Sequence, residues 1–371
     1  MKLGTGKEIF NFRNNNLGGK TILYGCYPHI VKNKLYWQSR CEGQLASIEY
    51  ANITGEAVDV PENNFALTKS LAAQNFRVFY DSNPNTPENE RWKAIGGYHA
   101  GRGSIKVKNP TKSQIYGSPL HAELRGCRLS ETSEIEVIQD VVWSEEMKLL
   151  FPDDYSHPRH ANGFYIFKSP DGIKWDLFHP LPVFSTFTEC ETGYTVGSDN
   201  MPSIFYDHAT EEYLTYLRCN IKLGVRNVLC SRSKDLITWS APQLIKKSPK
   251  FDYEHENLYY MGAYPLANSS KYVSFTPHFK NDILTKDGSR RKYYDAKTLL
   301  MISDDGVQWD VVSEIFLDQS GGHLNQPHVV SFEDDGDVYS LYVHEGFMSH
   351  QNRLVKYEVS KREFNSVVGV E

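Results

Sequence analysis

A seven-residue pattern, Ser-x-Asp-x-x-x-Trp, occurs three times in this chain. The copies are SPDGIKW at 169–175, SKDLITW at 233–239 and SDDGVQW at 303–309. Each copy follows strand-length runs rich in Tyr, Ile, Val, Leu and Phe, which are typical of antiparallel β-strands. The Asp can accept hydrogen bonds from backbone N–H groups two residues on and close a hairpin, while the Trp packs between neighbouring units. Ser, Asp and Gly also mark ordinary turns, but three copies in equivalent places indicate a structural repeat.

Repeated four-stranded units bury their faces only by stacking around an axis, which predicts an all-β fold, a five-bladed β-propeller of four-stranded antiparallel blades. We expect a single domain over residues 1–371 with no long helix. Its blades are expected at 21–60, at 65–100 continued by 163–178, at 201–245, at 257–312 and at 323–361. Blade two is interrupted by an insertion of about residues 100–160, a length that indicates a function or a structure of its own. We interpret it as a lid or rim, with SEEMKLLF (144–151) as its best short helix.

Composition narrows the classes of partner. The formal net charge is −6, so the chain has no cationic field for a polyanion, and we expect neither nucleic acid nor an anionic membrane as a partner. No run approaches the roughly 18 apolar residues of a membrane span, and the start MKLGTGKEIFNF lacks the apolar core of a signal peptide. A cytoplasmic protein with a neutral substrate is therefore expected, and secretion stays open as an alternative. The oligomeric state stays open.

The six cysteines are scattered without a CxxC pair, so we expect mostly buried thiols rather than a zinc site or a disulfide framework. The segment HPRH (157–160) with Asp153 and Asp154 has metal-ligand chemistry, but short-range His and Asp in a loop are more often solvated. We therefore expect no metal site and no cofactor, and leave a structural calcium ion open.

Candidate site residues are sought where each blade's innermost strand begins, because those positions face the central funnel of a propeller. The side chains found there are Tyr27, His29, Asp81, Asp199, Glu256, His323, Gln326 and His328. Three carboxylates at one axis suit glycosidic chemistry, in which one protonated carboxyl donates to the leaving oxygen and an ionised one attacks or activates water. Each acid also has a simpler interpretation: Asp81 as a turn cap, Asp199 in an Asx turn, and Glu256 as a neighbour of a better-placed acid.

Further polar and aromatic residues are candidates for substrate binding. His29, His323, Gln326 and His328 can bind sugar hydroxyls from the first and fifth blades. Arg91 and Arg218 can hold a carboxylate or a hydroxyl, although surface ion pairs are equally consistent with both. Trp37 and Trp92 can stack on a sugar ring, although burial between blades is the commoner fate of such side chains.

The chain also resembles the five-bladed propeller glycoside hydrolases, the superfamily of the invertase-like (family 32) and arabinanase- and xylosidase-like (family 43) enzymes. In detail it is most similar to family-32-like predicted glycosidases. The resemblance runs from about residue 20 onward, the insertion excepted. It is carried by NNFAL (63–67), DSNPNTPENERWKAIGG (81–97), GFYIFKSPDGIKW (163–175), SDNMPSIFYD (198–207), YLTYLRCN (213–220), SRSKDLITWSAP (231–242), ENLYYMGAYP (256–265) and RLVKYEVSKREF (353–364).

This resemblance implies roles for the three acids. Asp81 resembles the nucleophile or base, Asp199 the transition-state stabiliser and Glu256 the general acid. The chain departs from the pattern in its first blade, where its relatives carry a carboxylate and this sequence has Tyr27-Pro28-His29. Its acids therefore fall one blade later than in those relatives.

Three functions remain open from the sequence. The first is a glycoside hydrolase that cleaves an oligo- or polysaccharide by paired-carboxylate chemistry. The second is a glycosyl-transferring relative of surface polysaccharide metabolism, a phosphorylase or transferase; a phosphorylase would need cationic side chains such as Arg218, Arg226, His323 and His328 for phosphate. The third is a carbohydrate-binding propeller without catalysis, because a fold alone does not determine function.

Overall fold

The computed structural model describes most of the chain outside the insertion. The described residues are 1, 3–12, 21–41, 46–55, 57–67, 73, 75–97, 105–108, 111–112, 127–128, 134–137, 163–179, 183–185, 201–222, 225–250, 256–266, 269–282, 292–315, 328–346 and 352–370. Within these ranges, no helix is long and apolar enough to cross a membrane.

The described secondary structure consists almost entirely of strands. In chain order these are β1 (Lys7–Asn11), β2 (Thr21–Val31), β3 (Lys34–Cys41), β4 (Ser47–Thr54), β5 (Ala57–Asp59), β6 (Phe65–Leu67), β7 (Arg77–Tyr80), β8 (Trp92–Gly96), β9 (Ile105–Lys108), β10 (Thr111–Lys112), β11 (Cys127–Arg128), β12 (Glu134–Val137), β13 (Gly163–Ser169), β14 (Asp176–Leu177), β15 (Phe184–Ser185), β16 (Ser203–Asp207), β17 (Glu212–Lys222), β18 (Val225–Ser233), β19 (Gln243–Leu244), β20 (Lys246–Ser248), β21 (Glu256–Leu258), β22 (Gly262–Pro265), β23 (Tyr272–Asp282), β24 (Lys292–Ser303), β25 (Gln308–Ile315), β26 (His328–Asp335), β27 (Val338–Glu345) and β28 (Arg353–Ser360). A 3-10 helix spans Glu88–Glu90, and the helix α1 (Lys361–Val368) follows β28.

The chain divides into two compact units. The first unit comprises Met1–Gln44, Ile48–Phe65 and Ile245–Glu371, and the second comprises Leu45–Ser47 and Ala66–Leu244. Five antiparallel sheets, three of them in the first unit, are the blades of a five-bladed β-propeller fold, as the sequence predicts.

In the second unit, blade two has the strand order β14-β13-β8-β7 and blade three the order β16-β17-β18-β19. The insertion leaves blade two between β8 and β13, as expected. Its described backbone forms two small antiparallel pairs, β9 with β12 and β10 with β11. The helix expected at 144–151 lies outside the described residues, and the role of the insertion as a lid or rim stays a prediction.

In the first unit, blade one has the order β2-β3-β4-β5. Blade four places β21 and β22 on β23, followed by β24 and β25, and β20 adds a parallel edge strand beside β25. Blade five has the order β26-β27-β28-β1, so the N-terminal strand supplies its fourth member. The sequence predicts only three strands for this blade, because the partner of β1 is more than 340 residues away along the chain.

The three copies of the repeated motif form the same hairpin. In the last copy Ser303 Oγ accepts from the N–H of Gly306 (2.8 Å), Asp305 Oδ1 accepts from the next two N–H groups (2.8 and 2.7 Å), and Trp309 Nε1 donates to the Gly306 carbonyl (2.9 Å). The Ser and Asp contacts recur in both other copies. This confirms the predicted role of the Asp, which supplies the acceptor that the turn's backbone donors need.

The fourth residue of the motif has a left-handed backbone in every copy. Gly172 and Gly306 have φ of 76° and 77°, and Leu236 holds φ 65° at the equivalent position. The middle tryptophan, Trp239, contacts Phe184 of the preceding blade with 5.1 Å between ring centroids. The motif therefore fixes the hairpin locally and, in blade three, also supports packing between blades.

The core of the first unit is built from alternating strand residues. Val273 and Phe275 on β23 and Leu300 on β24 are fully buried there. The amphipathic helix α1 covers this core with Phe364, and its first turn is capped by Ser360, whose Oγ accepts from the Glu363 N–H at 3.2 Å. The capping box Ser-x-x-Glu at 360–363 marks this helix in the sequence.

Candidate functional site

The candidate site of the first unit is set by contacts between innermost strands. Ser331 Oγ on β26 accepts from the Ile30 N–H (2.8 Å) and donates to the Ile30 carbonyl (3.1 Å), and the Tyr260 hydroxyl donates to the Val329 carbonyl (3.0 Å). Each blade begins with its innermost strand, and these strands run in the same direction along a propeller axis. Residues upstream of the contacts therefore lie towards one end of the first unit.

Three of the predicted site residues lie upstream of those contacts. Glu256 opens β21, His328 opens β26, and His29 directly precedes Ile30 on β2. The structure thus brings blades one, four and five together at the end where the sequence expects a site. Their surroundings differ, and so do the roles that they can have.

Glu256 is the acid of this group. Its side chain is 16% exposed, with Oε1 3.5 Å from His278 Nε2 and Oε2 3.6 Å from Lys247 Nζ. Lys247 and His278 are both buried, so their fixed positions restrict the rotamers of the carboxylate. Because the carboxylate is partly exposed, a bound molecule can contact it.

His328 is a core residue. Its ring stacks on Tyr260 with 5.2 Å between centroids and makes an edge contact with Tyr259, while His344 lies opposite it on β27. Burial, and secondarily His344, lowers the pKa of His328 to about 3. The imidazole is therefore neutral near pH 7 and supplies no positive charge for a phosphate group. Because the side chain is buried, its predicted contact with sugar hydroxyls has no support from this geometry.

His29 is also enclosed. The side chain is 1% exposed, its ring stacks on Tyr36 with 5.4 Å between centroids, and its Nδ1 lies 3.2 Å from the Tyr27 carbonyl oxygen. The residue supports the backbone at Tyr27 rather than facing solvent. Tyr27 itself is partly exposed.

Asp81 lies in the second unit, and its position differs from the prediction. The sequence pattern predicts Asp81 before an innermost strand, but it follows the last residue of β7. Its residue exposure is 0%, its two oxygens accept from the Tyr213 hydroxyl at 3.1 and 2.9 Å, and Thr86 Oγ1 donates to Oδ2 at 2.8 Å. The Asn83 N–H donates to Oδ1 at 3.0 Å. This carboxylate stabilises the β7–β8 turn and is closed to a substrate, so the turn-cap alternative describes it.

A buried lysine completes the Asp81 cluster. Lys93 Nζ lies 3.5 Å from Asp81 Oδ2 and 5.0 Å from the centroid of the Phe178 ring. Burial lowers the pKa of Lys93, and the charge of Asp81 opposes that shift. Burial and the same carboxylate raise the pKa of Tyr213, so its hydroxyl stays protonated and donates. The cluster is a satisfied network inside blades two and three.

Arg91 belongs to the same turn. Its Nη1 donates to the carbonyls of Asp81 (3.0 Å) and Asn83 (3.1 Å), and its Nε donates to Glu88 Oε2 at 2.6 Å. These contacts assign Arg91 to the turn rather than to a substrate.

Arg218 is a buried residue of β17 opposite Val228. Asp199, His323 and Gln326 lie outside the described residues, and their assignments stay predictions.

Sequence reasoning missed Lys93 and Tyr213, although a signal was present. Phe79-Tyr80-Asp81 recurs as Phe205-Tyr206-Asp207 at the same place in blade three. There Asp207 accepts from the Ala209 N–H (3.1 Å) and the Thr210 hydroxyl (2.5 Å). A repeated Asp at the end of a blade's first strand indicates a turn acceptor, because chemistry at one active site does not require a copy in each blade.

Metal ligation has no candidate among the residues that the structure describes, since no group of three His, Cys, Asp or Glu side chains there can hold an ion. The HPRH segment at 157–160 is not among those residues. Cys26, Cys219 and Cys230 are buried thiols, in agreement with the expectation for them.

Comparison with known proteins identifies the fold. No protein-family model and no curated protein matches the chain. A solved structure described as an RGII complex of BT0996 matches with a TM-score of 0.52 and 10% identity, over 96% of this protein and 91% of that one. The two share a fold.

Structures of glycoside hydrolases are also among the similar proteins. An endo-arabinase from Bacteroides thetaiotaomicron has a TM-score of 0.47 and 13% identity, over 88% of this protein and 89% of that one. An α-L-arabinanase from Penicillium chrysogenum, complexed with arabinobiose, has a TM-score of 0.39 and 11% identity, over 97% and 99%.

Proposed function

We propose that this protein is a glycoside hydrolase in which Glu256 donates the proton to the leaving glycosidic oxygen. The observation that carries the proposal is the placement of Glu256: it opens the innermost strand of blade four and is partly exposed beside buried Lys247 and His278.

The chemistry follows from two carboxyl groups that act in different protonation states. The general acid protonates the oxygen of the departing sugar, and the partner carboxylate attacks the anomeric carbon or activates a water molecule. His328 is buried and neutral, so this residue supplies no charge for a phosphate pocket.

The test is turnover of chromogenic furanosides, pyranosides and an oligosaccharide panel by the purified full chain, with and without phosphate. Glu256→Gln should lower kcat by about 10²- to 10⁴-fold on glycosides with poor leaving groups. It should lower kcat much less on activated aryl glycosides, because these leave without protonation.

Glu314→Gln is the matched control, because Glu314 is a partly exposed acid of the same blade, paired with Lys297 at 2.9 Å. It should retain wild-type turnover. Phosphate-dependent turnover would instead indicate a phosphorylase. Saturable glycan binding without any turnover, unchanged in Glu256→Gln, would identify a binding propeller and reject the proposal.

A further inference from the structure

The backbone at Tyr27 is strained. This residue has φ of 49°, in the left-handed region that non-glycine residues rarely adopt. It also precedes Pro28, and a residue before proline is pushed towards extended conformations with negative φ. Two independent steric preferences are therefore violated at one position. Such outliers cluster at functional sites, where the surrounding structure maintains them.

Tyr27 also lies in a β-bulge. On β2 the residues Cys26 and His29 pair with Gln38 and Tyr36 of β3, so three steps on one strand oppose two on the other. A second shift lies just upstream, between Leu23 and Cys26, where Gly25 takes φ 65°. Glycine adopts a positive φ without a side-chain penalty, whereas tyrosine adopts it only at a steric cost. Bulges of this kind redirect a side chain and occur often beside active sites.

Buried groups hold the strained segment from beneath. His29 Nδ1 lies 3.2 Å from the Tyr27 carbonyl, and the His29 ring stacks on Tyr36. Immediately downstream, both backbone groups of Ile30 contact Ser331 of blade five. Tyr27 precedes this junction by three residues, as His328 does on its own strand, so it lies at the same end of the first unit as Glu256.

We infer that Tyr27 is a substrate-binding residue of blade one, kept in its strained conformation so that its aromatic ring packs on a neutral sugar of the glycan. This inference rests on the proposed function. Blade one offers no carboxylate at this level, and a partly exposed tyrosine has the apolar face and the hydroxyl that a sugar ring can use. Tyr27 thus determines affinity, while Glu256 performs the chemistry.

The test compares Tyr27→Gly with Tyr27→Phe in the full chain. Glycine relieves the backbone strain and removes the aromatic ring, whereas phenylalanine keeps the strained backbone and the aromatic ring. We expect Tyr27→Gly to keep or raise the Tm while KM for the substrate found in the glycoside screen rises about tenfold or more, with a smaller change in kcat. Tyr27→Phe should stay within about threefold of wild-type KM, since it retains the stacking face.

Two results would overturn the inference. One is an unchanged KM in Tyr27→Gly, and the other is a raised KM together with a lowered Tm, which would mean that the ring supports the fold. If the wild type turns over no glycoside, the proposed function fails, and the same variants are compared by direct titration with the oligosaccharides. Loss of binding in Tyr27→Gly alone then supports the role of Tyr27, and equal binding or no binding by all three proteins rejects it.

Discussion

The imidazole of His328 lies face to face with the ring of Tyr260, with 5.2 Å between the centroids and 8° between the planes. His344 lies opposite His328 across β26 and β27, and its Nε2 is 2.7 Å from Asn352 Oδ1. Burial lowers the pKa of His344 to about 4 and, together with His344, that of His328 to about 3. Two neutral imidazoles are therefore built into the junction of blades four and five.

Stability should fall in mild acid because of this pair. An unfolded histidine titrates near pH 6.5, whereas these two titrate near 3 and 4 when folded, so between those values the unfolded chain binds more protons. The stability contribution of the two neutral histidines is complete above about pH 6.5 and is lost as the pH falls towards 4.

His328→Phe keeps an aromatic ring against Tyr260 and should reduce the pH dependence of unfolding by about one proton, measured by urea denaturation between pH 4.5 and 7.5. An unchanged pH dependence in His328→Phe would contradict the prediction.

The stability of the repeated hairpin should depend on the aspartate of the motif and not on a neighbouring charged residue. Asp305 accepts from two backbone N–H groups, whereas Asp304 is exposed and pairs with Lys271 at 2.9 Å. Asp305→Ala removes an acceptor for both donors and should lower the free energy of unfolding by about 1–3 kcal/mol. Asp304→Ala should change it by less than about 0.5 kcal/mol, because exposed ion pairs contribute little. Chemical denaturation of both variants measures the change in the free energy of unfolding. Equal losses would mean that negative charge, rather than the acceptor geometry of Asp305, stabilises the hairpin.

The fold was accessible from the sequence because its signals are local. Every contact that defines the motif at 303–309 joins residues no more than six positions apart, and the alternating strands around it are equally short-range. The closure of blade five by β1 was not accessible, since KEIFN carries no turn signal and pairs with β28 near the other end of the chain. Local patterns thus identified the blades but not the strand that completes the last one.

The candidate site was accessible only in part for the same reason. Glu256 was predicted because it precedes a strong strand pattern, and the structure places it at the start of β21, while its role stays a proposal. Asp81 was predicted as a site residue from its expected place before an innermost strand. Its actual contacts were not foreseen, because Tyr213 lies 132 residues away and Lys93 is on the next strand. Whether a carboxylate faces a substrate or a buried tyrosine depends on tertiary contacts that no short sequence window contains.

The Asp81 cluster should therefore govern stability rather than chemistry. Asp81→Ala leaves Lys93 buried without its carboxylate and should lower the free energy of unfolding by about 3–5 kcal/mol. Adding Lys93→Met should recover part of this loss, because the uncompensated charge is removed, and a double-mutant cycle measures that coupling. Asp207→Ala is the matched control, since it removes the equivalent turn acceptor of blade three, and it should cost about 1–2 kcal/mol. Asp81→Asn with wild-type unfolding but abolished glycoside turnover would return this residue to the catalytic site.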